Sequence, residues 1–492
     1  MVLSENVIPY LTEPDNIYDL AGNCFGLLSE RVKQPHLFIS LYLSEGKEGS
    51  SNPNLELLNR FSETIMWKTS AFQPSGYVGF IENVMGLMAR LHLKKYFEEE
   101  MNELTVVYFL LAGIDAGAKM WETNKFFASL GPLDRINKTG YRVYYSCRNT
   151  LHSEYIEKIG RDRMRRSDFS DQFETFRFIN TKQWMLGENI PQVTFVSYAR
   201  TDTRRVQRRL RIAVIPGLNE RNFEFRSIGG CGYRVEYSSS DQKAIKKQIS
   251  KSLEKVLETC CDIIALPEYI SSPEVFRTVQ KQIKKVFAEI GAEKMPLLIF
   301  AGSGWTKDDN NVMKILDSAG DEIGIYYKYS PYTKKKRGKY GYEICENLSD
   351  PGKYCDLIAV ERWGTLLPAI CRDVIDGKYT AEIARALLPF LVVISAWSPS
   401  VRSFEGRQEE LANKYFVSSV LANACGAVRK DAKKIGNAGI VHKNDTVAGI
   451  YFEDICRDNC SGSCGKCSCA YIVEYDFSYS NGGDTNININ RL

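Results

Sequence analysis

Between residues 210 and 395 the chain alternates short apolar runs with amphipathic stretches, and this alternation restricts its fold more than any other feature. Residues 210–218 (LRIAVIPGL) form an apolar run closed by Pro-Gly, as a buried strand does. Residues 262–268 (DIIALPE) and 297–302 (LLIFAG) read as two more buried strands. Between them, Ile245, Ile249, Leu253, Val256 and Leu257 mark one helix face, and Val275, Val279, Ile283, Val286, Phe287 and Ile290 mark another. Residues 311–329 read as a hairpin turning at Ser318-Ala319-Gly320-Asp321. Residues 365–371 and 390–395 are further strands, with a helix around 381–388 between them. Strands that alternate with helices predict a layered α/β domain whose helices cover the sheet faces.

The first 200 residues have a different texture. Leu55, Leu58, Phe61 and Ile65 fall at helical spacing, and 80–97 is a second apolar-rich stretch. Residues 141–178 are rich in charge and aromatics, including Arg161, Arg163, Arg165 and Arg166, and no chemical motif precedes residue 200. With 492 residues, too many for one ordinary core, two domains are expected. These are a mainly α-helical domain over 1–200 and an α/β domain over 205–480, followed by a tail at 481–492. A composition of 44% apolar and 25% charged residues is that of a soluble globular protein. The formal charge of +4 gives no global argument for nucleic-acid binding. Residues 1–20 carry Glu5, Glu13, Asp15 and Asp19 without a basic segment, unlike a signal peptide. The most apolar runs, 105–114 and 386–397, are shorter than the roughly 20 residues that span a bilayer. A cytoplasmic protein without a membrane partner is therefore expected.

Three residues that can do chemistry lie at or near strand ends, where an α/β layer gathers side chains on rigid supports. They are Glu268 in ALPEY, Lys328 in IYYKYSPY and Cys371 in LLPAICRD. Singly, each has an ordinary explanation: a solvated loop acid, a lysine stem packed on rings, a small buried hydrophobe. Their order and flanking residues say more. Pro267-Glu268, Tyr327-Lys328 and Ile370-Cys371-Arg372-Asp373, with Lys328 60 residues after Glu268 and Cys371 43 after Lys328, resemble the Glu-Lys-Cys signature of the nitrilase (carbon–nitrogen hydrolase) superfamily. A strand at 391–396 and a helix leading to Ala422-Asn423-Ala424-Cys425-Gly426 continue the likeness, the latter similar to the family's ANxxG ending. A glycine-bearing strand pair (436–451) and a last strand (470–477) extend it over about 208–480.

The resemblance implies an α-β-β-α sandwich that assembles into dimers or larger oligomers. It also implies hydrolysis of a non-peptide amide or nitrile through a thioester on Cys371, with no catalytic cofactor. Glu268 would act as base toward the thiol, then toward water. Lys328 and the backbone N–H after Cys371 would stabilise the oxyanion, which places Arg372 and Asp373 on the oxyanion or substrate side. The family commonly has a second glutamate between Lys and Cys. Glu343 and Glu346 are both candidates, and the spacing to Pro351-Gly352 suits Glu346 better. The sequence departs from the pattern at Arg372, where an aromatic is common, and in the basic loop 334–339 (KKKRGK).

Of the 14 cysteines, expected to be reduced in a chain without a secretion signal, Cys456, Cys460, Cys464, Cys467 and Cys469 are crowded around Gly462 and Gly465. Such a hairpin (456–469) either holds a structural zinc or carries thiols that bind nothing. The basic stretches 161–166, 204–211 and 334–339 read first as solvated faces, and secondarily as a nucleic-acid or anionic-substrate surface. A second functional class goes with that reading: a regulatory or nucleic-acid-associated, defence-type or reverse-transcriptase-linked module, since related domains occur fused to reverse transcriptases. No YxDD-like centre occurs in residues 1–200. Asn481-Gly482-Gly483-Asp484-Thr485 is similar to the phosphate loop of ATP-using amide synthetases, but reads here as part of the tail.

Overall fold

The computed structural model describes residues 7–34 except 15, then 38, 55–71, 77–90, 100–118, 139–145 and 173–184 except 174. It continues with 191–196, 209–217, 223–237 except 230–231, 239–335 and 343–427 except 361–362, and ends with 434–439, 450–453, 470–477 and 487–492. The chain divides into two compact units, one of Met1–Thr150 and Gly160–Gly187, the other containing Glu188–Leu492.

The first unit contains helices α1 (Ile8–Thr12), α2 (Ile17–Arg31), α3 (Leu55–Ser70), α4 (Tyr77–Arg90) and α5 (Glu100–Ala118), then strands β1 (Tyr141–Tyr145) and β2 (Phe176–Asn180). Asn16 caps α2 by accepting from the N–H groups of Tyr18 and Asp19, which satisfies donors that a helix start leaves free. The two strands pair antiparallel. Phe25 of α2 stacks on Phe178 of β2 with ring centroids 4.1 Å apart, and buried Asp115 of α5 accepts from the N–H groups of Thr175 and Phe176. The helices follow the periodicity of the sequence. The strands lie in the charged, aromatic stretch whose pattern gave no strand signal.

The second unit holds, in chain order, β3 (Gln192–Val196), β4 (Arg209–Val214), β5 (Glu224–Gly229), β6 (Gly232–Glu236), α6 (Ser239–Leu257), β7 (Ile263–Ala265), α7 (Pro273–Ile290), β8 (Leu298–Trp305), β9 (Asn311–Asp317) and β10 (Glu322–Tyr327). It continues with β11 (Thr333–Lys335), β12 (Glu343–Glu346), β13 (Asp356–Val360), β14 (Gly364–Ile370), α8 (Arg372–Ile375), α9 (Lys378–Leu387), β15 (Leu391–Ala396) and α10 (Arg402–Tyr415). The last elements are β16 (Ser418–Asn423), β17 (Lys434–Gly439), β18 (Ile450–Glu453), β19 (Tyr471–Asp476) and β20 (Ile487–Arg491).

These strands build two mixed seven-stranded sheets, in the orders β10-β9-β8-β7-β4-β19-β20 and β18-β17-β16-β15-β14-β13-β3, and a smaller sheet ordered β11-β12-β6-β5. Helices α6 and α7 bury Ile245, Ile249, Val275, Val279 and Ile283 against Ala213, Ile264 and Ile299 of the first large sheet. Ile212, Ile263 and Leu298, which alternate with these, are also fully buried, so both faces of that sheet are covered. The two large sheets meet through the Ser395 hydroxyl, which donates to Leu266 O at 2.7 Å, and the Tyr475 hydroxyl, which donates to Ser419 O at 2.6 Å. Helices α8 and α10 pack beside the second sheet, with α9 against both of them. The result is a mixed α/β unit with its sheets between helices, as the alternating pattern predicts.

Two boundaries differ from expectation. The units divide after Gly187 rather than near 200, because β3 pairs in parallel with β13 and belongs to the second unit. Residues 487–491 are not a free tail, because β20 pairs antiparallel along β19. The glycine-rich segment 481–485 lies outside the described residues. Among the described residues no helix is long and apolar enough to cross a membrane.

Candidate active site

Glu268 lies three residues beyond β7, in a loop held down by β8. Ser303 N–H donates to Pro267 O and Ser271 N–H to Ser303 O. Glycines in β8 permit the approach: Gly302 adopts φ +71, and a Cβ on Gly304 would overlap the Ser271 carbonyl. Tyr269 has φ 60, a strained conformation for a residue with a side chain. Lys328 follows the last residue of β10, where its N–H donates to Asn311 O at 2.9 Å. Cys371 is the joint between β14 and the short helix α8, with φ 43, a second strained position. Its N–H donates to Ser395 O of the neighbouring strand β15 at 2.9 Å. Glu346 ends β12 of the small sheet, where its N–H donates to Tyr332 O.

These four residues converge. The Lys328 Nζ donates to Glu268 Oε1 at 2.7 Å and pairs with Glu346 Oε2 at 2.6 Å, with all three side chains out of solvent. Trp397 N–H donates to Glu268 Oε2 at 3.0 Å. The Cys371 sulfur feels the charges of both Glu268 and Lys328. Cys371 is 4% exposed, yet both partner side chains act on its sulfur, so it is not an isolated core thiol.

The electrostatics follow from one cation shared by two carboxylates. Burial opposes the charge on Lys328, but Glu268 and Glu346 outweigh it and hold the ammonium well above its usual range. Burial raises the Glu268 carboxyl, against Lys328 and with the help of Glu346. Burial also drives the Cys371 thiol well up, and the adjacent Glu268 charge adds to the effect. At rest the sulfur therefore keeps its proton.

Asn311, the first residue of β9, was not singled out in the sequence. Its Nδ2 donates to Glu268 Oε1 at 2.9 Å and to Glu346 Oε1 at 3.1 Å. Tyr269 also joins the site, its hydroxyl donating to Glu346 Oε1 at 3.0 Å. Phe223, Phe225, Tyr233 and Trp397 form an aromatic wall beside it, with ring centroids 5.3 Å apart for Phe223–Tyr269 and 5.5 Å for Phe225–Trp397. An asparagine opening a hairpin and aromatics scattered over 223–397 carry no local pattern that marks a site.

Of the two glutamates, Glu346 reaches Lys328, while the Glu343 side chain lies outside the described residues. Arg372 directs its guanidinium to Asp376 at 2.7 Å, and its backbone N–H belongs to the first turn of α8. Asp373 is turned to the backbone beside Lys328. Fully buried, it accepts from Tyr329 N–H at 3.0 Å, Ser330 N–H at 2.6 Å and the Tyr326 hydroxyl at 2.9 Å, pinning the segment around Lys328 to the nucleophile joint. Burial pushes its carboxyl up to about 7, against the Ser330 N–H and the Lys328 charge.

The cysteines Cys456, Cys460, Cys464, Cys467 and Cys469 lie outside the described residues, as do 161–166 and 336–339. Among the described residues no group of His, Cys, Asp and Glu is placed to hold a metal ion. In the basic stretch 204–211, Arg209 pairs with Glu474 at 3.4 Å and Asp476 at 3.3 Å, and Arg211 donates to Thr259 O at 2.7 Å. These arginines serve the fold.

No family model and no curated protein matches the sequence. Among solved structures, the chain is similar to the Caenorhabditis elegans NitFhit protein, at 16% identity and TM-score 0.34 over 55% of this chain and 61% of that one. It is likewise similar to Saccharomyces cerevisiae Nit3, a member of branch 10 of the nitrilase superfamily, at 15% identity and TM-score 0.34 over 55% of this chain and 90% of that one. A carbon–nitrogen hydrolase from Helicobacter pylori matches at 12% identity and TM-score 0.34 over the same shares. These structural neighbours are nitrilase-superfamily proteins. The likeness covers about half of this chain and less than two thirds of NitFhit, and at these identities and TM-scores it assigns no activity. The chemistry is read from the site itself.

Proposed function

We propose that this protein is a hydrolase of non-peptide carbon–nitrogen bonds, acting on an amide or nitrile through a thioester on Cys371. One observation carries the reading: a buried thiol lies within the electrostatic reach of Glu268 and Lys328, where Lys328 bridges Glu268 and Glu346 at 2.7 and 2.6 Å. A thiol is a weak nucleophile until a base takes its proton, and a carboxylate whose proton affinity burial has raised suits that task. As Cys371 Sγ attacks the carbonyl carbon, its proton passes to Glu268 and the π electrons move to oxygen. The oxyanion is met by the Lys328 ammonium and the Arg372 N–H; loss of one such donor typically costs about 3–4 kcal/mol. When the C–N bond breaks, Glu268 returns the proton to the departing nitrogen. It then takes a proton from water, whose oxygen attacks the thioester, and as the C–S bond breaks Glu268 gives that proton to the departing sulfur, which regenerates the thiol.

Glu346 touches neither the sulfur nor the scissile bond in this scheme. It keeps the ammonium charged and aimed. A cytoplasmic location and assembly into dimers or larger oligomers belong to the same reading, and the mass in solution by analytical ultracentrifugation tests the second. The decisive experiment screens amides and nitriles with wild type and Cys371→Ala. Turnover is expected only in the wild type, with a slow substrate leaving an acyl mass on the Cys371 peptide. Equal turnover in Cys371→Ala removes the proposal.

A further inference from the structure

We propose that Asn311 is a positioning residue whose amide bridges Glu268 and Glu346 and holds Glu268 in register with the Cys371 sulfur. The inference rests on the reading of Cys371 and Glu268 as nucleophile and base, and deepens it. Two buried carboxylates this close repel one another, and two bridges hold them. The first is charged: Lys328 Nζ, at 2.7 Å from Glu268 Oε1 and 2.6 Å from Glu346 Oε2. The second is neutral: Asn311 Nδ2, at 2.9 and 3.1 Å from the Oε1 atoms of the same pair. Asn311 is 1% exposed, and its own carbonyl accepts the Lys328 N–H, so one residue fixes both the cation and the acids. Its Oδ1 is buried without a hydrogen-bond partner. Turning the amide over would aim that oxygen at two carboxylates, so the network sets the orientation.

The chemistry explains a neutral donor here. A second ammonium would lower the proton affinity of Glu268 until it no longer took a proton from a thiol, whereas a carboxamide donates without adding charge. Glu268 also faces Lys328, Glu346 and Cys371, and feels Tyr233, Tyr237, Tyr269 and Tyr332. All four tyrosines are held above the usual phenol range, so none loses its proton near neutral pH. Removing a donor from the ionised Glu268 raises its proton affinity. The acid limb of any process that needs the Glu268–Cys371 pair to have lost one proton must then move to higher pH.

The test alkylates the full chain with iodoacetamide across pH and follows the Cys371 peptide by mass, a readout independent of the unknown substrate. Asn311→Leu, similar in size but without a donor, is expected to shift the acid limb upward by about one pH unit, with Cys371 alkylation below the limb falling about tenfold. If the leucine variant does not fold, Asn311→Ser, too short to span both acids, carries the same expectation in the same direction. A limb that superimposes on wild type in a folded variant overturns the inference, whatever its melting temperature. That result leaves the hydrolase reading intact if wild type still forms an acyl adduct. Absence of the adduct, or turnover by Cys371→Ala, defeats the hydrolase reading on its own.

Discussion

At the scale of residues, one buried cation is set between two buried carboxylates. Lys328 is the only cation hydrogen-bonded or ion-paired to Glu268 and Glu346 among the described residues, and all three are sealed from water. Lys328→Met should therefore abolish turnover and also lower stability by about 3–5 kcal/mol, the usual cost of leaving one partner of a buried pair. Urea unfolding measures it, and Glu346→Gln on that background should restore part of the stability and none of the activity. Asp373 makes a different prediction. Its folded carboxyl titrates at about 7 against an ordinary 3.8, so the folded state holds that proton more tightly than the unfolded chain does. Its contribution is thus fully present below about pH 4 and is lost as pH rises to about 7. In Asp373→Asn the amide oxygen can still accept the Tyr329 and Ser330 N–H groups while its NH₂ donates to Tyr326. That variant should fold and show a shallower loss of stability between pH 4 and 7 in urea titrations. Asp373→Leu, which leaves those donors unmatched, should cost about 3 kcal/mol or more.

Elements deliver these residues with unequal legibility. Glu268, Lys328 and Cys371 were readable because each follows a short apolar strand, and β7, β10 and β14 lie where those runs stand in the sequence. Glu346 was half readable, because β12 is a four-residue strand in the small sheet and its register is set by Tyr233 of β6, more than 100 residues earlier. Asn311 was not readable: its place beside the acids comes from pairing between β8 and β9 and from the Lys328 N–H, neither of which leaves a local trace. Asp373 was visible as a residue, but its three donors, Tyr326, Tyr329 and Ser330, lie more than 40 residues earlier and left no local trace beside it. Gly304 shows how closely these elements fit. Gly304→Ala should drive the Ser271 carbonyl and the Glu268 loop outward, lowering stability by about 3 kcal/mol and turnover with it. Gly406→Ala, on the open face of α10 with nothing near its Cβ, should instead raise stability by about 0.5–1 kcal/mol. Thermal melts of the two variants compare them directly.

For the whole molecule, the change of texture near residue 205 falls after β3, which groups with the second unit. A fragment beginning at 205 lacks β3 and strips the partner from β13, exposing the outermost ladder of the second large sheet. We expect fragment 188–492 to stay soluble and to label at Cys371 like the full chain, and fragment 205–492 to aggregate on purification. Size-exclusion chromatography decides. The pairing order also has a consequence in time. β4, near the start of the second unit, needs β19 on one side, and β3 waits for β13. Contacts this distant along the chain make closure slow, because the intervening loop must be ordered before the contact stabilises anything. On the ribosome, then, the nucleophile, the base and the cation would all have emerged before the sheet that steadies them could be completed.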